Sequence, residues 1–162
     1  MRIYSIVISI LIPALLCSQE INTAKEYREI DSIKKILTNE NADPNRNNYI
    51  RVITFYARRN IDSSKAYLEK YTKLAGNSRI RFDAISRKVY ILQLEKKYDE
   101  ATKLINETIQ KDSVTLNQPE NKFALLKLYS ALAEIYTDTR DNEKALEIYY
   151  KTIAIYENEG VE

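Results

Sequence analysis

The sequence has no histidine, one cysteine and two glycines in 162 residues. Without histidine, Ser-His-Asp and Cys-His catalytic arrangements are excluded, as is any His-ligated metal. The single cysteine, Cys17, can form neither an internal disulfide nor a zinc cluster. The glycines, Gly76 and Gly160, lie too far apart for a P-loop or a G-x-G-x-x-G phosphate cradle. With only three prolines as well, the chain has few sharp turns, which disfavours a many-stranded sheet. What is present is 44% apolar and 30% charged residue, rich in helix formers, in a length that suits one compact domain or a short repeat array. No enzyme activity, cofactor, metal or small-molecule substrate is expected. Paired carboxylates such as Asp99 and Glu100 fall where a helix begins and serve its dipole rather than acid–base chemistry.

Residues 1–19, MRIYSIVISILIPALLCSQ, start with Arg2 and continue as an apolar run from Ile3 to Cys17. The run is shorter than the roughly 20 residues a membrane span needs. It matches the core of a secretory signal peptide, so an exported protein, periplasmic or secreted, is expected. A retained anchor is the competing reading. Lipid attachment at Cys17 is a further alternative, against which Leu16 stands where that motif favours a small residue.

Residues 20–45 read as an N-terminal helix and linker. Ile21, Ala24, Tyr27, Ile30, Ile33, Ile36 and Leu37 recur at helical spacing behind a Thr23-x-x-Glu26 capping box, and the stretch around Pro44 ends the helix. Residues 46–162 fall into three helix pairs, broken near NIDSS, KYD and RDN. Asp62 or Ser63 is expected to cap the second helix of the first pair, with Gly76 left-handed after its end. Aligning second helices on Ala66, Ala101 and Ala145 gives spacings of 35 and 44, the longer one containing DSVTLNQPE. A helix-turn-helix recurring near 34 residues predicts an all-α antiparallel helix-pair solenoid.

In the third pair Tyr129, Leu132, Ala133 and Tyr136, followed by Ala145 and Tyr149, resemble the tetratricopeptide repeat (TPR) pattern W-x2-L-G-x2-Y…A-x3-F. Glu157 stands where a proline is often found. The second pair keeps Val89, Leu92, Tyr98, Ala101 and Ile105, with Lys88 in place of leucine; the first keeps only Ile53, Ala57 and Ala66, with Lys70 where an aromatic is expected. The resemblance is good over 126–159, fair over 82–113 and weak over 47–80. It implies an exported bacterial TPR-containing protein, a right-handed superhelix of about three repeats. Small residues at helix crossings and large rings beside them suit such packing, so Tyr98, Tyr129, Tyr136 and Tyr149 are expected in the core.

By the same resemblance the first helices line a concave surface that holds a peptide. Its expected contacts are Arg51, Phe55, Arg58 and Arg59, then Ser86, Tyr90 and Gln93, then Lys127, Ser130 and Glu134. Charge is polarised along the chain. Residues 46–97 hold thirteen Lys or Arg and four Asp or Glu, a net of +9; residues 98–162 hold seven and thirteen, a net of −6. Three readings remain open: ordinary solvated helix faces, a basic surface recruiting an acidic peptide or protein, and weak head-to-tail self-association. Nucleic acid is not expected, since no binding motif accompanies the basic stretch. The expected function is a non-catalytic protein-interaction module or scaffold of the cell envelope. The alternative is the extracytoplasmic sensor region of a membrane-bound signalling or transcription regulator, because ENEGVE follows a second helix with its outer face uncovered.

Overall fold

The structure is a computed structural model, and it describes residues 23–38, 46–74 and 76–157. The expected signal segment with Cys17, the expected linker around Pro44 and the last five residues lie outside the described residues. Among those described there are eight α-helices and no strands, so the chain is all-α. They are α1 (23–38), α2 (Arg46–Ala57), α3 (Ile61–Lys73), α4 (Ser78–Leu94), α5 (Tyr98–Lys111), α6 (Ser113–Leu116), α7 (Lys122–Asp138) and α8 (Asn142–Glu157), with a 3-10 turn at Pro119–Asn121. The chain divides into two compact units, Met1–Val52 and Ile53–Glu162.

Among the described residues of the predicted α1 stripe, Ile30 and Ile33 are buried, while Tyr27 and Ile36 are exposed; Ile21 lies outside the described residues. Two buried positions one turn apart make a narrow seam. Arg51 on α2 donates to the Glu29 carboxylate of α1 at 2.8 Å.

In the second unit α7 is the central element. It packs against α4, α5 and α8, which explains why it buries Leu125, Leu126, Leu128, Leu132, Ala133 and Ile135 on more than one face. α5 is more sharply amphipathic. Ala101, Ile105 and Thr108, at i, i+4 and i+7, form its buried side. The core joins these helices through Phe82, Val89, Ile105, Leu128 and Ile148. Tyr98, Tyr129 and Tyr136 are half-buried against it, but Tyr149, expected in the core, is 43% exposed. Its counterpart Ile105 is fully buried because α7 covers α5; on α8 the same face, with Leu146, Tyr150 and Ile153, is exposed.

The helix ends depart from the sequence expectation in one pair and repeat closely in the other two. Asn60, not Asp62 or Ser63, caps α3, its side-chain oxygen accepting from the Ser63 amide at 2.9 Å. The helix already runs from Ile61, so Asp62 and Ser63 sit inside its first turn. Asn77 caps α4 in the same way, accepting from the Ile80 amide. Gly76 is not left-handed, and α3 ends on Leu74 in the right-handed helical region. The left-handed positions are Lys96 (φ 58°) and Arg140 (φ 64°).

Each belongs to a Schellman closure. The Lys97 amide reaches the Leu92 carbonyl at 2.9 Å and Lys96 reaches Gln93 at 2.9 Å; Asp141 reaches Tyr136 at 2.8 Å and Arg140 reaches Thr137 at 3.1 Å. A side chain in this conformation is strained by roughly 1–2 kcal/mol, partly offset in glycine by its larger chain entropy. Lys96→Gly and Arg140→Gly are each expected to raise the unfolding free energy by about 0.5–1 kcal/mol. A urea midpoint that stays put or falls would show that these turns carry no such strain.

The stretch DSVTLNQPE, which lengthens one repeat, is built into the core. Leu116 is fully buried. Asn121, also buried, donates to the Thr115 carbonyl at 3.1 Å and accepts from Ser78 on α4 at 3.2 Å. Arg81 on α4 donates to both oxygens of Asp112 at 2.6 and 2.9 Å. That hydrogen bond holds the Asp112 carboxyl below its ordinary range.

Candidate functional site

In the second unit the first helices of two pairs, α4 and α7, lie side by side in parallel. Three cross-contacts set the register: Ser78 with Asn121 at 3.2 Å, Asp83 with Lys127 at 3.7 Å and Gln93 with Glu134 at 3.4 Å. Residue n of α4 is therefore level with roughly residue n+43 of α7. Between them lies an open cleft of about 320 Å³. Ser86, Tyr90 and Gln93 line one wall, Lys127, Ser130 and Glu134 the other. These six residues are inner-face positions in the sequence expectation, and the fold brings all of them to one cleft.

The other four separate. Arg58, in the turn after α2, donates through Nε to the hydroxyl of the lining residue Tyr90 at 2.7 Å and lies 5.9 Å from the centre of that ring. Phe55 is 4% exposed and cannot meet a ligand; it is a core residue. Arg59 lies over its ring at 4.2 Å and donates to its carbonyl at 3.1 Å, so that side chain serves packing. Arg51 belongs to the first unit, paired with Glu29. Phe55 was misplaced because the first pair's alignment is two residues off: Ser64, not Ala66, occupies the place of Ala101 and Ala145. Each of these three amides makes the first bond of its helix, Ser64 to Asn60, Ala101 to Lys97 and Ala145 to Asp141. Ser64 is fully buried, and its hydroxyl donates to the Ile53 carbonyl at 2.8 Å. In that register Phe55 corresponds to Leu92 and Tyr136, both packing positions.

Sequence reasoning missed Arg87, Phe123 and Tyr156, which with Leu126 and Ala131 complete the lining. Arg87 donates to the Thr54 hydroxyl of α2 at 3.3 Å. Phe123 is 63% exposed, with the Lys127 ammonium 4.6 Å from its ring centre. It sits one turn before Lys127 on the same α7 stripe, and extending that stripe would have found it. Tyr156 comes from α8, whose turn back along α7 carries its C-terminal end to the start of α7; no spacing signal points to it.

The electrostatics differ along the cleft. Near Phe123 and Tyr156 the Lys127 charge is balanced by the buried Asp83 carboxylate. At the α2–α4 seam the contacts of Arg58 and Arg87 among the described residues are hydroxyls and a ring, so both guanidinium charges stay available. Beyond Tyr90 the Glu134 carboxylate accepts from Gln93. Among the described residues there is no cluster of ligating side chains fit for a metal, and no helix is long and apolar enough to cross a membrane. A second groove of about 340 Å³ lies between α3 and α4, spanned by Lys65 and Glu95 at 2.6 Å. That pairing lowers the Glu95 carboxyl and raises the Lys65 ammonium. Compared with protein-family models, curated proteins and solved structures, the chain gives no match.

Proposed function

We propose that this chain is a TPR-like helical solenoid that binds a peptide or protein segment in the α4–α7 cleft, as a non-catalytic interaction module exported to the cell envelope. The observation that carries the reading is the convergence of Ser86, Tyr90, Gln93, Lys127, Ser130 and Glu134 on one open, mixed polar and aromatic cleft. Hydroxyls and amides there suit a peptide backbone, and the exposed rings suit a side-chain anchor. Two further features support the solenoid. The Schellman turns recur 44 residues apart, and α7 packs on both helices of the preceding pair as α4 packs on α3. The export signal in residues 1–19 supports the envelope location.

The test is affinity capture from an envelope fraction with the wild-type chain and with Tyr90→Ala/Phe123→Ala. A partner held by the first and lost by the second supports the reading; equal capture by both removes the cleft from it. The alternative, a sensor region of a membrane-bound regulator, draws on the exposed apolar face of α8, where Leu146, Tyr149, Tyr150 and Ile153 offer roughly the area of an interaction patch. Capture through that face, lost in Tyr150→Lys/Ile153→Lys with the cleft variant unaffected, would favour it.

A further inference from the structure

We infer that the cleft reads a two-point pattern in its peptide: an apolar or aromatic side chain and, three to five residues along an extended chain, a carboxylate. The inference rests on the peptide-binding reading and adds the ligand's chemistry and spacing. The first point is the aromatic end. Phe123 and Tyr156 are both substantially exposed and line the same cleft. The adjacent Lys127 is paired with the buried Asp83 carboxylate at 3.7 Å, and the two exposed rings supply the apolar area of this end.

The second point is the seam of α2 and α4. Thr54 on α2 and Arg58, just past the end of that helix, contact Arg87 and Tyr90, three apart on α4. Arg58 is thereby held at the Tyr90 hydroxyl and Arg87 at Thr54 on the same seam, with hydrogen-bonding capacity suited to a carboxylate. Both Arg87 and Tyr90 line the cleft, so an anion bound there remains connected to the aromatic end.

The helix register supplies the spacing. Phe123 is level with about residue 80 of α4, so Arg87 and Tyr90 lie seven to ten residues further on. At 1.5 Å per residue that is about 10–15 Å. An extended peptide advances about 3.3 Å per residue, so three to five residues span it. Glu134, level with about residue 91 on the facing wall, disfavours a second acidic residue there.

The experiment measures fluorescence anisotropy with the full chain. The probes are labelled Gly/Ser peptides carrying one Phe and one Glu at four positions apart or at nine. A random-sequence peptide pool of equal length and a single-stranded RNA of equal length are the comparison arms. The four-position peptide is expected to bind about tenfold tighter than the nine-position one. That preference should disappear in Phe123→Ala and in Arg87→Glu, or in Arg87→Gln where the charge reversal disturbs folding, with thermal midpoints held to within a few degrees of wild type. Added salt should reduce it as well. If the random pool binds in a Phe123-dependent way with no spacing preference, the cleft is a peptide site and the two-point pattern is wrong. If no peptide binds, the peptide reading itself falls. Preferential binding of the RNA would assign the arginines to phosphates and overturn the inference.

Discussion

Phe82→Ala is expected to lower the unfolding free energy by about 3–5 kcal/mol. Phe82 is 1% exposed and belongs to the same cluster as Val89, Ile105, Leu128 and Ile148. Its helix, α4, packs against α3, α5 and α7 at once, so neighbours on three sides are held in place by other contacts and cannot close the space left by the ring. The loss therefore includes a cavity cost as well as the lost burial. Domains of this size are stable by roughly 5–15 kcal/mol, so this one change removes a large share. Phe123→Ala removes the same atoms from a residue 63% exposed and should cost no more than about 0.5 kcal/mol. Urea titrations followed by far-ultraviolet circular dichroism compare the two. Equal losses would mean that the burial difference between α4 and the start of α7 is not real in solution.

That contrast shows why the helices were legible and the faces only partly. Helix type follows from composition and period, which each segment carries alone; a face is defined by what covers it. Ile105 and Tyr149 occupy the same place in successive second helices and have similar apolar character, yet α7 covers one and the other stays exposed. No local pattern could separate them. The cleft was legible along α4 and α7 because Ser86, Tyr90 and Gln93, and Lys127, Ser130 and Glu134, keep a fixed stripe beside well-marked core positions. It failed on α2, where weak repeat character allowed an alignment two residues out of place and put the packing residue Phe55 on the expected inner face. Gly76 is the expected left-handed residue, since glycine accepts that geometry without cost, but the chain adopts it at Lys96 and Arg140 instead.

The corrected register makes its own prediction. In the expected alignment Ala66, Ala101 and Ala145 are equivalent; in the structure Ala101 and Ala145 are buried, Ala66 is exposed, and Ser64 takes the third place. Ala101 lies at the start of α5, with no exposed surface, in the cluster that includes Leu132 and Ala133 of α7. Leucine there adds three carbon atoms at a helix crossing already filled to the density of a solid, so α5 must shift away from its neighbours or the side chain must leave its rotamer wells. Ala101→Leu is expected to cost about 3 kcal/mol, the upper part of the overpacking range, because two helices converge on the site. Ala66→Leu should change stability by less than about 0.5 kcal/mol, since the added atoms point to water and leucine is a good helix former. Ser64→Leu should behave like Ala101→Leu, with the further loss of the hydroxyl bond to the Ile53 carbonyl. Three urea midpoints decide between the alignments. If Ala66→Leu destabilises as strongly as Ala101→Leu while Ser64→Leu is tolerated, the 35-residue register is the correct one and the placement of Phe55 in the core falls with it.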